Sequence, residues 1–407
     1  MTALARVPVQ RIIHAIADAA QRFADADFPP RVRLLDRICE RTGYTMPVVE
    51  YGLDQLFFSI TASTLESAIA AELGSVNALD RFVERTPETY AHARPLGRVA
   101  VISSRTTIGV AIVPAIFALC AKCDVFVKDR EDGLVRAFFS ALGEELDAMT
   151  DAARAQAWEG ESDAVDLRAF DAVVAFGSDA GLARIRERAA SHAPFIAYGS
   201  KASVGYVGRE ALDDHTQARI LAGDAARDLV LYETEGCLSL HALFVERGGA
   251  VEPAAFAELF AAALERAAIE FPPGERDARA NARIATARNL AAFRAAGGNG
   301  SVYSDERASF LAVLDPPASE PPAFLPRALA IRTVDAPADA AAYLERHAIP
   351  VEAAALAGAR EDIVNMALDM GAHRITSFGR LQRPPLASTH GGRPRIAEFV
   401  RWTTRDR

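Results

Sequence analysis

Cys237 is the residue whose type and setting point most directly to chemistry. It stands in GCLSLH, between an expected helix and the expected strand HALFVE, and so on a turn beside Gly236. Backbone amides can converge on a sulfur there, which lowers a thiol pKa and creates a site for an oxyanion, as a cysteine that attacks a carbonyl requires. A lone cysteine is also a small buried hydrophobe in many proteins, so its neighbours must decide. Cys120 and Cys123 form a C-x-x-C at the end of an apolar helix with no second pair, and are read as core. The eight histidines show no metal-binding spacing, and no metal is expected. His241, four residues beyond Cys237 in an extended segment, lies about 13 Å away and reads as a strand residue rather than the base of a Cys–His pair. Glu235, His241 and His390 are candidates to line the site; His390, on the glycine-rich loop THGGRPR, could equally cap a turn.

A second group of residues suits an anion. In AVVAFGSDAGLARIR a strand ends at Gly177-Ser178 and a helix follows at once, so free amides and the helix dipole favour a phosphate, the alternative being an ordinary capped turn. DVFVKDRED puts Lys128 at a strand end with Arg130 beside it, in the crevice where α/β sheets bind ligands. The three-glycine dinucleotide fingerprint is absent after the first strand, where SSRTTIG stands instead, so a plain Rossmann dehydrogenase is disfavoured.

The elements that position these residues follow from periodicity. Residues 1–95 show helical spacing in VQRIIHAIADAAQRF, VRLLDRICERTG and LESAIAAELG, with Gly43 and Gly74 as stops. From residue 97, RVAVIS, an apolar helix over 109–122 and DVFVKD describe a βαβ unit and a parallel sheet. The alternation continues through AVVAFG, FIAYGS, VGYVG, a helix over 213–229, HALFVE, helices at 252–271 and 276–296, and the strand-like SVYSD, FLAVLD and LAIRTV. The expected division is a helical segment 1–95 packed on a cofactor lobe 96–208, a catalytic lobe 209–380 and a C-terminal segment 381–407. The fold class is α/β, with two lobes meeting near residues 205–235.

Composition sets the outer limits. The chain has 407 residues, half of them apolar, and 45 basic against 54 acidic side chains, for a net charge of -9. That balance has the wrong sign for a nucleic-acid binder, and an anionic ligand needs a local cationic pocket. The longest apolar run, Ile108 to Ala121, is shorter than the roughly 20 residues of a membrane span. With no signal-peptide pattern and four cysteines, too few for a disulfide scaffold, the expectation is a cytoplasmic protein with reduced thiols.

Taken together, TGYTMPVVEYGLDQLF, ARPLGRVAVISS, DVFVKDRED, DAVVAFGSDAGLARIR, FIAYGSKASVGYV, DLVLYETEGCLSLHALFVE and LQRPPLASTHGGRPRIAEFVRW resemble, in order and over nearly the whole chain, the acyl-CoA reductase family related to the bacterial luminescence fatty-acid reductase, a branch of the aldehyde dehydrogenase superfamily. The resemblance implies an aldehyde-dehydrogenase-like fold with a Rossmann-like cofactor lobe and a catalytic lobe. It implies an acyl-CoA thioester reduced to an aldehyde by NADPH or NADH through an S-acyl intermediate on Cys237, coenzyme A arriving as part of the substrate. Gly177 and Ser178 fall where the superfamily's turn approaches the cofactor, and Lys128 where its lysine reaches the adenosine ribose. Lys128 and Arg130 could meet a 2′-phosphate, opposed by Asp129 and Glu131.

Departures from the pattern are informative. The water-activating glutamate of oxidising relatives is Ala197 here, which suits a thioester reductase because hydrolysis would destroy its acyl-enzyme. The oxyanion-hole asparagine is replaced within Ser104-Arg105-Thr106-Thr107, making Arg105 and Thr106 the candidates to substitute. The His-Asp-Gly near the C-terminus is His390-Gly391-Gly392, and the Asp-Gln before the nucleophile is Glu233-Thr234. An acyltransferase- or thioesterase-like acyl carrier on Cys237, or a catalytically silent scaffold, are the rival readings. A homo-oligomer is expected, with PRIAEFVRWTT docking on a neighbour, and an acyl-activating enzyme is a conceivable partner.

Overall fold

Apolar side chains at helical spacing produce the helices Val9–Ala24, Leu35–Thr42 and Ala62–Leu73. The first buries Ile12, Ile13, Ile16 and Phe23, and Phe23 meets Phe138 of the helix Leu134–Glu145 edge-on at 5.8 Å. Gly74 ends the third with φ 77°, a left-handed turn in which its N–H bonds to the Ala70 carbonyl. This computed structural model describes residues 2–104, 106–130, 133–157, 165–322 and 324–407.

The helical reading of residues 1–95 stops short. Residues 83–95 form β1 (Val83–Thr86) and β2 (Thr89–Pro95), two antiparallel strands whose polar sequences, VERT and TYAHARP, hide the period-2 signal. Five strands follow in the same unit: β3 (Arg98–Ile102), β4 (Asp124–Lys128), β5 (Ala153–Gln156), β6 (Ala172–Phe176) and β7 (Phe195–Tyr198). They form a parallel sheet of order β5-β4-β3-β6-β7. β3 and β6 are near-continuous apolar runs, as strands covered on both faces require.

A second unit contains β8 (Ala202–Val207), β9 (Leu240–Glu246), β10 (Ser301–Tyr303), β11 (Leu311–Leu314), β12 (Ala328–Val334), β13 (Val351–Ala357) and β14 (Arg374–Thr376). Their order is β10-β11-β12-β9-β8-β13-β14, all neighbours parallel except β10 with β11. β13 and β14 were not anticipated; VEAAALA is alanine-rich and favours a helix by propensity, and pairing with β8 overrides that preference.

The two units are Met1–Thr42, Val49–Ser200 with Pro385–Arg407, and Gly43–Val48 with Lys201–Pro384. The expected boundary at residue 208 therefore moves to 200/201, because β8 pairs with β9 and β13 in the second sheet. Residues Gly43–Val48 also leave the first unit: Gly43 O accepts the Glu275 N–H at 2.8 Å, and Thr45 Oγ1 donates to Pro272 O at 3.0 Å. The C-terminal segment ends in β15 (Val400–Asp406), which pairs antiparallel with β2 of its own chain from Val400↔Pro95 to Asp406↔Thr89. It was expected to dock on a neighbour; satisfying its backbone on β2 gives it an intramolecular place. Among the described residues no single helix is long and apolar enough to cross a membrane.

Candidate active site

Cys237 lies on the turn between the helix His215–Val230 and β9. The approach to it is unusual. Tyr232, Glu233 and Thr234 are consecutive non-glycine residues with φ of 55°, 53° and 61°, a left-handed turn that costs roughly 1–2 kcal/mol per residue. The surroundings hold it. The Glu233 carboxylate sits between Arg327 at 2.6 Å and Arg276 at 3.2 Å and accepts the Gly274 N–H at 3.1 Å. Arg327 is 0% exposed, and its other N–H groups reach the Phe271 and Pro272 carbonyls. Thr234 donates to Leu229 O at 2.8 Å and accepts the Arg327 N–H at 3.1 Å. The acid standing where the family pattern has aspartate is thus the centre of a buried ion cluster that braces the turn.

Beyond it, Glu235 N–H bonds to Tyr232 O and Ser239 N–H to Gly236 O, both at 2.9 Å, enclosing Cys237 and Leu238. Ser203 of β8 donates its hydroxyl to Cys237 O at 2.7 Å, and Gln382 donates to Ser239 Oγ at 2.9 Å. The thiol is half-buried, and the protein packed around it pushes its pKa up to about 12, with Glu352 adding to the rise. Lys201 and the amides of Cys237 and Leu238 oppose that rise without overcoming it. The expectation of a lowered thiol pKa is corrected: burial and a carboxylate outweigh the groups that oppose them.

His241 is buried in β9, where burial lowers it to about 4. Its Nδ1 accepts the Ser203 N–H at 3.3 Å and its ring lies 5.3 Å from Phe324, so it is a packing and acceptor residue rather than one that lines an open site. Glu235 is exposed, yet the protein crowded against it and the charge of Glu233 raise its carboxyl above the ordinary range. Lys201 Nζ lies 3.0 Å from Glu352 Oε2 and 3.5 Å from His373 Nδ1. Lys201 was visible in YGSK without a role; a single carboxylate inside the apolar stretch PVEAAALA was the signal that marks Glu352.

In the first unit the chain runs β3-β4-β5 to one side and then β6-β7 to the other, so the order reverses between β3 and β6. Ligands of α/β sheets bind outside the carboxyl ends of strands at such a switch point. A cavity of about 450 Å3 lies there, lined by Ser103 and Ser104 after β3, Lys128 and Arg130 at the end of β4, and Gly177 and Ser178 after β6. The helix Asp179–Arg188 contributes Gly181, Arg184, Ile185 and Arg188, residues of one helical face. Ser178 caps that helix, its Oγ accepting the Gly181 N–H at 3.3 Å. Among the described lining residues there are four cations and no carboxylate. A Cβ at Gly177 would meet nothing within 4 Å, so the backbone is open to a ligand. Lys128, Gly177 and Ser178 are therefore brought together in the lining of one cavity.

His390 closes a turn through paired 3.0 Å bonds with Arg393, and its ring stacks at 4.0 Å on Tyr198, which also stacks with Phe176 at 4.8 Å. The turn-capping role is the one these bonds describe; His390 is not among the described residues that line the switch-point cavity. Thr106 Oγ1 lies 3.2 Å from Ser104 Oγ, while Arg105 and Glu131 lie outside the described residues. Ala197 is on β7. Cys120 and Cys123 are buried, with thiols pushed up to about 12 and about 11 by burial. No group of three or more metal-ligating side chains converges among the described residues.

A family model described as acyl-CoA reductase (LuxC) matches residues 4–402. The long-chain acyl-protein thioester reductase 2 of Photobacterium leiognathi is 19% identical over 250 residues, 59% of this chain, and the match spans 51% of the relative's length, about half. Among solved structures, an NAD-dependent benzaldehyde dehydrogenase from Corynebacterium glutamicum superimposes with a TM-score of 0.71 at 16% identity, over 99% of this chain and 87% of that one. Aldehyde dehydrogenase 21 from Physcomitrella patens, in complex with succinate, gives 0.70 at 12% identity over 100% and 86%. A glyceraldehyde-3-phosphate dehydrogenase from Methanocaldococcus jannaschii, complexed with NADP, gives 0.69 at 10% identity over 99% and 90%. The fold is aldehyde-dehydrogenase-like.

Proposed function

The chain belongs to the acyl-CoA reductase (LuxC) family, and from that premise we propose that it reduces an acyl-CoA thioester to an aldehyde through an S-acyl intermediate on Cys237. The observation that carries this reading is the Cys237 turn itself: a half-buried thiol ahead of β9, reached through a strained left-handed approach braced by Glu233, Arg276 and Arg327. Strain over-determined by a buried ion cluster is a feature of functional loops rather than of ordinary connections.

The Cys237 sulfur attacks the thioester carbon, coenzyme A leaves with the thiol's proton, and the acyl group stays on the protein. The amides of Cys237 and Leu238 are donors for the charge that develops on the carbonyl oxygen; Thr106 and Arg105 are further donor candidates. A nicotinamide nucleotide, when bound, would be the source of hydride for the acyl carbon. Lys128, Gly177 and Ser178 would hold that nucleotide, with Arg130, Arg184 and Arg188 placing cations for a 2′-phosphate, which favours NADPH over NADH. Ala197 offers no base for water, so the acyl-enzyme is spared hydrolysis. Glu235 and His390 are rim residues in this scheme. A cytoplasmic setting with reduced thiols and a homo-oligomer belong to the same proposal; all four cysteines are free and β15 presents an exposed strand.

The test is NADPH oxidation with trapped aldehyde across a panel of acyl-CoAs. The proposal expects turnover that Cys237→Ser abolishes; undiminished reduction by that variant would overturn it. One rival, acyl transfer without reduction, would acylate Cys237 and leave NADPH unconsumed.

A further inference from the structure

In the second unit the helix Ala278–Ala296 packs on the sheet through Ile284 and Ala287, which share an apolar cluster with Leu311 and Val313 of β11 and Ala328 of β12. A cavity of about 110 Å3 continues this contact. The helix lines it with Ala287, Leu290, Ala291 and Arg294, residues of one helical face, and β12 lines it with Ala330 and Arg332. Its remaining wall is the proline-rich segment 315–322, through Pro316, Glu320 and Pro321. Alanines on both walls are too short to fill the space between them. Well-packed interiors leave few voids larger than a water molecule, whose share of liquid volume is about 30 Å3, so this space is more than an ordinary packing defect.

Arg332 is the unusual member of the lining, a cation only 7% exposed. Two other buried arginines each face a carboxylate, Arg31 with Asp54 and Arg327 with Glu233, both at 2.6 Å. Arg332 has no such partner among the described residues. Its terminal nitrogens donate to Pro316 O at 3.0 Å, Glu320 O at 2.8 Å and the Tyr343 hydroxyl at 2.9 Å, and its guanidinium lies 3.9 Å over the Tyr343 ring. Its Nε–H meets no acceptor among the described residues. Fastening the segment 315–322 by its carbonyls needs donors but no charge, whereas a buried charge without its opposite and a buried donor without an acceptor each cost free energy. The other charges of the described lining cancel, because Arg294 pairs with Glu320 at 2.5 Å. Arg332 therefore sets the charge of the cavity.

We propose that this cavity binds a small organic anion, a short-chain carboxylate that accepts from the Arg332 Nε–H and lays its hydrocarbon tail against Ala287, Ala291 and Ala330. The carboxylate supplies to Arg332 what Asp54 and Glu233 supply to Arg31 and Arg327. A cavity of about 150 Å3 holds benzene, so the space here admits roughly four to six heavy atoms, the size of propionate or butyrate. Apolar walls disfavour inorganic phosphate or sulfate, whose remaining oxygens would go unmet. No residue of the Cys237 turn belongs to the described lining, so the site stands apart from the reductase reading.

The test is titration of sodium butyrate into the full chain at constant ionic strength, read by saturation-transfer NMR. Butyrate should bind saturably, and butan-1-ol, the same tail without the charge, should bind about tenfold or more weakly, as loss of a charge-assisted hydrogen bond implies. Ala330→Leu fills the cavity from the sheet and Ala291→Leu fills it from the helix; whichever variant folds should lose butyrate binding. Arg332→Gln keeps donors for the segment 315–322 and removes the charge, and should weaken butyrate about tenfold while leaving butan-1-ol unchanged. If that variant does not fold, the comparison of butyrate with butan-1-ol on the wild type carries the same information. Absence of saturable butyrate binding, or binding that survives in a folded cavity-filling variant, would overturn the site. Equal affinity for butyrate and butan-1-ol would overturn the assignment of an anion to Arg332.

Discussion

A cysteine whose thiol is pushed up to about 12 by burial is protonated at neutral pH. What the protein has built around Cys237 is therefore position rather than a standing thiolate. The position depends on Glu233, because three left-handed residues in a row have no local reason to persist. Removing one partner of a buried charge cluster leaves an uncompensated charge, which typically costs about 3–5 kcal/mol. Arg327→Met should accordingly lower urea-denaturation stability by an amount of that order, and a loss below about 1 kcal/mol would show that the turn holds itself. Cys237 was legible in the sequence because a turn beside glycine before an apolar strand is a local pattern. Arg276, Arg327 and Glu352 were not, because the ion pairs that give them meaning join residues between 43 and 151 positions apart, from the Arg276–Glu233 pair to the Lys201–Glu352 pair.

At the scale of elements, the helix Asp179–Arg188 presents Ser178, Gly181, Arg184 and Arg188 to a cavity at the sheet's switch point. The strand-then-helix pattern was readable from GSDAGLARIR, and the capping hydroxyl is where the sequence places it. The two arginines were overlooked, although their four-residue spacing puts them on one face. If they meet a 2′-phosphate, Arg184→Ala and Arg188→Ala should each raise the KM for NADPH by about five- to tenfold, the range for a partly exposed charge-assisted contact. NADH should be affected far less; equal changes for the two nucleotides would contradict the assignment. The β1, β2 and β15 sheet was hidden for a different reason. Its strands carry mostly polar, exposed residues, and a pattern with few buried side chains leaves periodicity little to register. The lobe boundary was misplaced by one strand because the pairing of β8 is decided by distant β13.

The whole molecule carries a charge of -9, and the described lining of the cavity in its first unit includes four cationic side chains. Its stability should also vary with pH through Asp228. This buried carboxylate accepts the Gly379 and Leu381 amides, and burial raises it from 3.8 to about 7. Between pH 4 and 7 the folded chain keeps a proton there that the unfolded chain has released, so the stability due to this group falls as pH rises through that window. The slope approaches about 1.4 kcal/mol per pH unit at most. Wild-type stability measured against Asp228→Asn should therefore decline from pH 5 to 7; a constant difference would contradict the assignment.

The central claim is that Cys237 carries the acyl group on its way to an aldehyde. Intact-protein mass after mixing the chain with acyl-CoAs, with and without NADPH, tests it most directly. The account predicts one acyl adduct per chain that is absent in Cys237→Ser and disappears on adding NADPH as free aldehyde accumulates. No adduct with any acyl-CoA, or one that forms equally on Cys237→Ser, would contradict it.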